Sequence, residues 1–380
     1  MRTSLSEDRP TRFTEAAGTA SGNTRTSIIW SWSTSKGRRS PHVSWIKVHS
    51  RLKRPSLLVL CASLVAGAAL VAQQADVGRP PGRLVDAGGR KLHVHCTGSG
   101  SPTVLIEAGA SSFALDFSLV QPEIARTNRV CSYDRAGMGW SDARSDVDTP
   151  TRIVSDLRAV LAAIGEKPPY VMVGASFGAL YVRLYQLEHP DDVVGLVLVD
   201  PATEDRLFTL FEGKMVTIGS LTAEQLLTTL PASGSVPNRA GARPPQTGAP
   251  FDRLPDSLYE TRIKLDQRLI ASQGASVSAD IVREGAEANR AMFARLLESR
   301  TAKDPPMRNT PTVVLTRGIE MTPGIAENHA GLAALSTNSR HTVVPDAGHE
   351  IHLFAPSTVV QAIRDVSVAA REGTQLPKRP

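Results

Sequence analysis

The run Val171-Met-Val-Gly174-Ala-Ser176-Phe-Gly178-Ala-Leu-Tyr181 constrains this chain more than any other. Residues 171 to 173 read as a strand and the stretch after Gly178 reads as a helix, so the backbone must change direction within about four residues. Glycine on both shoulders makes so tight a turn feasible, and the turn pushes Ser176 out at the end of the strand. A strand that feeds straight into a helix is also the building unit of a covered, mostly parallel sheet.

The rest of the chain repeats this alternation from about residue 83. Leu92 to His95, Thr103 to Ile106, Arg129 to Tyr133, Tyr170 to Val173, Val193 to Val199, Thr312 to Thr316 and His341 to Val344 read as strands, several of them apolar on both faces. Between them Ile153, Leu157, Val160, Leu161 and Ile164 share one helical face, with Thr149 as cap, Pro150 at the first helical position and Gly165 past the end. The fold class expected is α/β, a doubly wound, mostly parallel sheet. No period of 20 to 50 residues recurs along the sequence, which excludes solenoids and propellers.

Charge separates the amino-terminal segment from the rest. The chain carries 43 Lys and Arg against 37 Asp and Glu, but residues 1–54 hold 11 of the bases and 3 of the acids. Beyond position 54 this leaves 32 bases and 34 acids, a net of −2, so no basic excess is available to neutralise phosphates and nucleic-acid binding is excluded as an expectation. Residues 1–54 lack apolar periodicity and read as a disordered basic segment.

After Arg51, Lys53 and Arg54 comes an apolar run from Leu57 to Ala72, and no charge appears between Arg54 and Asp76. Residues 55–75 therefore read as a transmembrane anchor or a signal segment. The small-residue pattern Ala66-Gly67-Ala68 lies inside the run rather than after it, which favours a retained anchor. The basic flank should stay cytoplasmic, so everything after residue 76 is expected to be extracytoplasmic, either membrane-anchored or secreted.

A serine hydroxyl needs a base to act as a nucleophile, and the base needs an orienting acid. Val343-Val-Pro-Asp346-Ala-Gly-His349-Glu-Ile-His352 places His349 in a loop just after a strand and before a helix opening near Pro356. His349 is the expected base, with His352 as the runner-up. The chain has 3 cysteines. Cys61 lies in the apolar run, Cys96 and Cys131 lie beyond it, and no Cys-His spacing suits a metal; acyl transfer through a serine needs neither metal nor organic cofactor, and none is expected.

With those residues in view, the chain from about 83 to 371 resembles the α/β-hydrolase superfamily, in particular its exported bacterial serine esterase-like members. The resemblance is carried by Glu107-Ala-Gly-Ala110, Tyr133-Asp-Arg-Ala-Gly137-Met-Gly139-Trp-Ser141-Asp, Gly174-Ala-Ser-Phe-Gly178, Leu196-Val-Leu-Val-Asp200-Pro and Ala347-Gly-His349, in that order. It implies that the loop Ala108-Gly109-Ala110 helps to form an oxyanion hole, with the backbone N–H of Ala110 and of Phe177 as donors. It also implies that the strand ending at Cys96 neighbours the one holding Cys131, which makes a cross-strand disulfide available.

The third member of the triad departs from the family pattern. Relatives often carry Asp in a Gly-x-x-Asp run after strand seven, but Arg317-Gly318-Ile319-Glu320-Met321 puts Met321 there. Asp200 after strand six matches an alternative acid position, and Glu320 and Glu204 remain candidates, since a triad is defined by geometry rather than by chain position. Asp134, Arg135, Gly137 and Gly139 are read as residues that shape a turn. The stretch from about 203 to 306 is too long for a connection and is expected to be a cap inserted after strand six, helical over Leu258 to Ile270 and Ile281 to Leu297. The expected activity is hydrolysis of a carboxylic ester of a small or acyl substrate through an acyl-enzyme on Ser176. A peptidase or thioesterase of the same fold, or a non-catalytic binding module, stands as the alternative.

Overall fold

The architecture comes from a computed structural model that describes residues 77–378, except 144–146, 205–206, 210–214, 218–234, 238–242, 274–275, 304 and 306. The segments 1–54 and 55–75 lie outside the described residues. Among the described residues no helix is long and apolar enough to cross a membrane.

Strands β1 (Arg83–Asp86), β2 (Lys91–Thr97), β3 (Thr103–Glu107), β4 (Val130–Tyr133), β5 (Tyr170–Ala175) and β6 (Val193–Val199) form one sheet with β11 (Thr312–Arg317) and β12 (Ser339–Val344). The order is β1-β2-β4-β3-β5-β6-β11-β12. Pairing is parallel from β4 to β12, while β2 runs antiparallel to both β1 and β4. The doubly wound sheet expected from the alternation is therefore present, extended at one edge by β1. That strand escapes the pattern because only Val85 of its four residues is buried, leaving no alternation to read.

Side chains on the central strands divide between two cores, as the two-residue period of a strand requires. Leu105, Met172, Leu196, Leu198 and Val314 face one side, where helices α2 (Pro150–Ile164) and α3 (Gly178–Glu188) cover them. Val104, Ile106, Val171, Val173, Val197, Val199 and Leu315 face the other, beneath α8 (Pro356–Glu372). Helix α2 follows its sequence signals closely. The Thr149 hydroxyl accepts from the Arg152 N–H, Pro150 opens the helix, and Gly165 closes it in the left-handed region at φ 74°. Each large apolar side chain that α2 buries stabilises the fold by roughly 2 kcal/mol relative to exposure.

Between β6 and β11 the chain makes the insertion expected after strand six. Two helices dominate its described part, α4 (Asp256–Gln273) and α5 (Ala279–Arg300), with short antiparallel pairs β7–β8 (Leu207–Thr209 and Met215–Thr217) and β9–β10 (Ser235–Pro237 and Ser276–Ser278). Two buried ion pairs fasten it to the sheet domain. The Arg262 Nε donates to Asp116 Oδ1 at 3.0 Å, both side chains fully buried, and the Arg262 guanidinium lies over the Phe251 ring. Glu204 receives Arg183 of α3 at 2.7 and 2.8 Å and Arg300 of α5 at 2.7 Å.

Candidate active site

Strand β5 ends at Ala175, and the next residue, Ser176, takes a left-handed φ of 50°. Such a conformation is uncommon for a residue with a side chain and marks strain held in place by the surroundings. Those surroundings are backbone. A Cβ on Gly174 would sit 2.6 Å from Ala179 Cα, and one on Gly178 would sit 2.3 Å from the Glu107 carbonyl oxygen. Both positions therefore need glycine for close approach.

Ser176 Oγ donates to His349 Nε2 at 2.9 Å, and His349 Nδ1 donates to Asp200 Oδ2 at 2.5 Å. His349 sits in the loop after β12, ahead of the short helix α7 (Ile351–Phe354). Asp200 follows β6 directly, also at a left-handed φ, 42°. Its N–H donates to the Leu315 carbonyl of the adjacent strand β11, which fixes the acid beside the end of that strand. Asp200 thus favours the tautomer whose Nε2 lone pair is aimed at the serine hydroxyl.

Asp200 is nearly fully buried, and burial pushes its carboxyl up. The hydrogen bond from His349, the Arg317 N–H at 3.0 Å and the charges of both side chains outweigh that effect and hold it below the usual carboxylate range. The Arg317 Nε donates to the same carboxylate at 2.8 Å, and its Nη2 lies 3.0 Å from His349 Nδ1.

Of the three acid candidates, the structure brings Asp200 alone to His349. Glu320 is exposed at a left-handed φ of 55° in the turn after β11. Glu204 is committed to Arg183 and Arg300, which hold it down to about 2 against the opposing effect of burial. His352 is packed flat on Phe117, ring centroids 4.3 Å apart, and burial pushes it down to about 3.

The Ala108-Gly109-Ala110 loop passes close to the serine, with a Cβ built on Gly109 falling 3.3 Å from Ser176 Cβ. Ala110 is exposed, and Phe177 stands at the amino end of α3. Among the described residues neither the Ala110 nor the Phe177 N–H donates to a backbone acceptor. Both remain available to an anion, Phe177 at a helix end whose dipole favours negative charge.

Two residues of the site went unread in the sequence. Arg317 could have been found from the strand register, which pairs Leu315 with Val199 and so puts the next residues of β11 beside Asp200. Arg135, read as a turn residue, is buried and donates to Glu107 Oε1 at 2.6 Å and to the carbonyls of Ala108 and Gly109 at 2.7 and 2.5 Å. Burial pulls its guanidinium down, and the charge of Glu107 more than offsets this, so it stays a cation. The Cys96–Cys131 disulfide is formed between directly opposed residues of β2 and β4.

Residues 92–362 match the alpha/beta hydrolase family. The chain belongs to that family. Uncharacterized protein YqjL of Bacillus subtilis is 24% identical over 281 residues, 73% of this chain and 87% of that protein. The 2-hydroxymuconate semialdehyde hydrolase of a Pseudomonas species is 32% identical over 125 residues, which cover 32% of this chain and 44% of that hydrolase. Among solved structures, a thermophilic esterase from Thermogutta terrifontis superposes with a TM-score of 0.52 at 21% identity, covering 76% of this chain and 98% of the esterase. The alpha/beta hydrolase fold of this chain is thus shared with hydrolases of several descriptions.

Proposed function

We propose that this alpha/beta hydrolase is a serine hydrolase that cleaves a carboxylic ester of a small or acyl substrate. The observation that carries the reading is the unbroken relay from Ser176 Oγ through His349 to Asp200, at 2.9 and 2.5 Å. His349 Nε2 takes the hydroxyl proton as Ser176 Oγ attacks the ester carbonyl, and Asp200 stabilises the imidazolium that results. The oxyanion formed lies between the N–H groups of Ala110 and Phe177. As the C–O bond breaks, His349 returns the proton to the departing alcohol. It then takes a proton from the water that attacks the acyl carbon and gives that proton to Ser176 Oγ as the acyl–Oγ bond breaks and the acid leaves.

A serine rather than a carboxylate at position 176 favours acyl transfer over displacement at carbon. The esterase among the structural neighbours is in keeping with this reading. The disulfide favours an oxidising compartment and so supports a catalytic domain that is exported, anchored through residues 55–75 or secreted.

Turnover of p-nitrophenyl esters of increasing acyl length by residues 76–380 tests the assignment, together with labelling by a fluorophosphonate. Wild type is expected to hydrolyse esters and to label at Ser176, and Ser176→Ala to do neither. Labelling without ester turnover would move the substrate to a peptide or thioester, and absence of both would sink the serine mechanism.

A further inference from the structure

We infer that Arg135 is a positioning residue of the oxyanion hole, one that fixes and polarises the amide expected to bind the oxyanion. This rests on the serine hydrolase reading above and goes beyond it, since Arg135 touches neither the nucleophile nor its base.

The geometry is specific to the peptide units concerned. Arg135 Nη1 donates to the Ala108 carbonyl at 2.7 Å, and Nη2 donates to the Gly109 carbonyl at 2.5 Å and the Ala110 carbonyl at 3.3 Å. The Gly109 carbonyl and the Ala110 N–H belong to one planar amide. A cation at the oxygen of that amide draws electron density toward it and makes the N–H at the other end a stronger donor, as happens along hydrogen-bonded chains in a low-dielectric interior. It also points that N–H away from Arg135, leaving it no freedom to swing when charge develops on the substrate.

The same side chain braces the second half of the hole. Its guanidinium stacks at 5.6 Å over the ring of Tyr181 in α3, the helix that begins beside Phe177. Arg135 thus holds the Ala110 loop and the start of α3 against each other, at the place where any Cβ on Gly178 would strike the Glu107 and Ala108 carbonyls. Glu107, itself receiving the Tyr133 hydroxyl at 2.5 Å, orients the guanidinium by accepting from Nη1 at 2.6 Å. A turn residue need not be 6% exposed with three consecutive carbonyls on its guanidinium.

The test compares wild type with Arg135→Met, Arg135→Lys and the charge-neutral pair Glu107→Gln/Arg135→Met, active sites being counted by fluorophosphonate titration. The double variant leaves no unpaired buried carboxylate and covers the case in which Arg135→Met alone does not fold. Per titrated site, Arg135→Met or the double variant is expected to lose roughly 10- to 100-fold in kcat with KM within about twofold, Arg135→Lys falling between. Affinity for a trifluoromethyl ketone analogue, which forms the tetrahedral adduct, should weaken by the same factor as kcat/KM.

A folded variant whose kcat per site stays within twofold of wild type overturns the inference. So does a loss that appears in KM, or one that leaves analogue affinity unchanged. Failure of the underlying reading has a different signature, because wild type itself would then neither label at Ser176 nor turn over ester.

Discussion

Asp200 accepts from Arg317 through the backbone N–H at 3.0 Å and through Nε at 2.8 Å, while the same carboxylate receives His349. Arg317 occupies the end of β11, the strand after which relatives more often place the acid itself, so here that strand supplies a cation to an acid on its neighbour. If Asp200 is the triad acid, Asp200→Asn should lower kcat by on the order of 10³ to 10⁴, because the imidazole loses its tautomer control. Glu320→Gln should stay near wild type. Steady-state ester hydrolysis by the two variants separates the assignments, and an active Asp200→Asn enzyme would refute this one.

Arg317 also sets where the acid titrates. Its cation helps to hold Asp200 below the usual carboxylate range against the effect of burial. Arg317→Met should let the carboxyl rise, so the loss of activity on acidification moves to higher pH. A kcat/KM profile of the two proteins from acid to neutral pH checks the direction, and unchanged profiles would show that the backbone N–H and His349 suffice.

Glu204 is expected to govern acid stability. Its folded pKa is depressed from an ordinary 4.5 to about 2. The stabilisation is therefore fully present above pH about 4.5 and is lost as pH falls toward about 2, amounting to about 3 kcal/mol. Chemical denaturation at several pH values should show this slope in wild type and a flatter one in Glu204→Gln, which should also be less stable at neutral pH.

Gly178→Ala probes the elbow. The added Cβ would lie 2.3 Å from the Glu107 carbonyl oxygen and 2.7 Å from that of Ala108, and backbone on both sides leaves no room to yield. A destabilisation of about 1–3 kcal/mol is expected, with turnover falling further than the folded fraction because the Ala110 loop must shift. Thermal melting alongside active-site titration measures both.

Reduction should cost stability. The Cys96–Cys131 bond closes a loop with a sequence separation of 35, worth about 2–4 kcal/mol in constraint of the unfolded chain. Dithiothreitol should lower the melting temperature of wild type and leave that of Cys96→Ala/Cys131→Ala unmoved.

What the sequence by itself determined was whatever depends on neighbours along the chain. The period of apolar residues and the Thr149, Pro150 and Gly165 caps specified α2, and Gly174 and Gly178 specified the turn that presents Ser176, because these are local steric and hydrogen-bonding requirements. Helices α4 and α5 were legible for the same reason. The choice among Asp200, Glu320 and Glu204 was not, since all three follow strands or turns with similar local chemistry. Only the parallel pairing of β6 with β11, which sets Asp200 beside Arg317 and across from His349, brings one of the three to the imidazole. Arg135 was hidden likewise. A residue in a turn motif reaches the carbonyls of the Ala110 loop because β3 and β4 lie side by side, their paired residues 26 positions apart in sequence and in contact in space. Local patterning selects elements, whereas side-chain roles at a site depend on which strand ends the sheet order brings together.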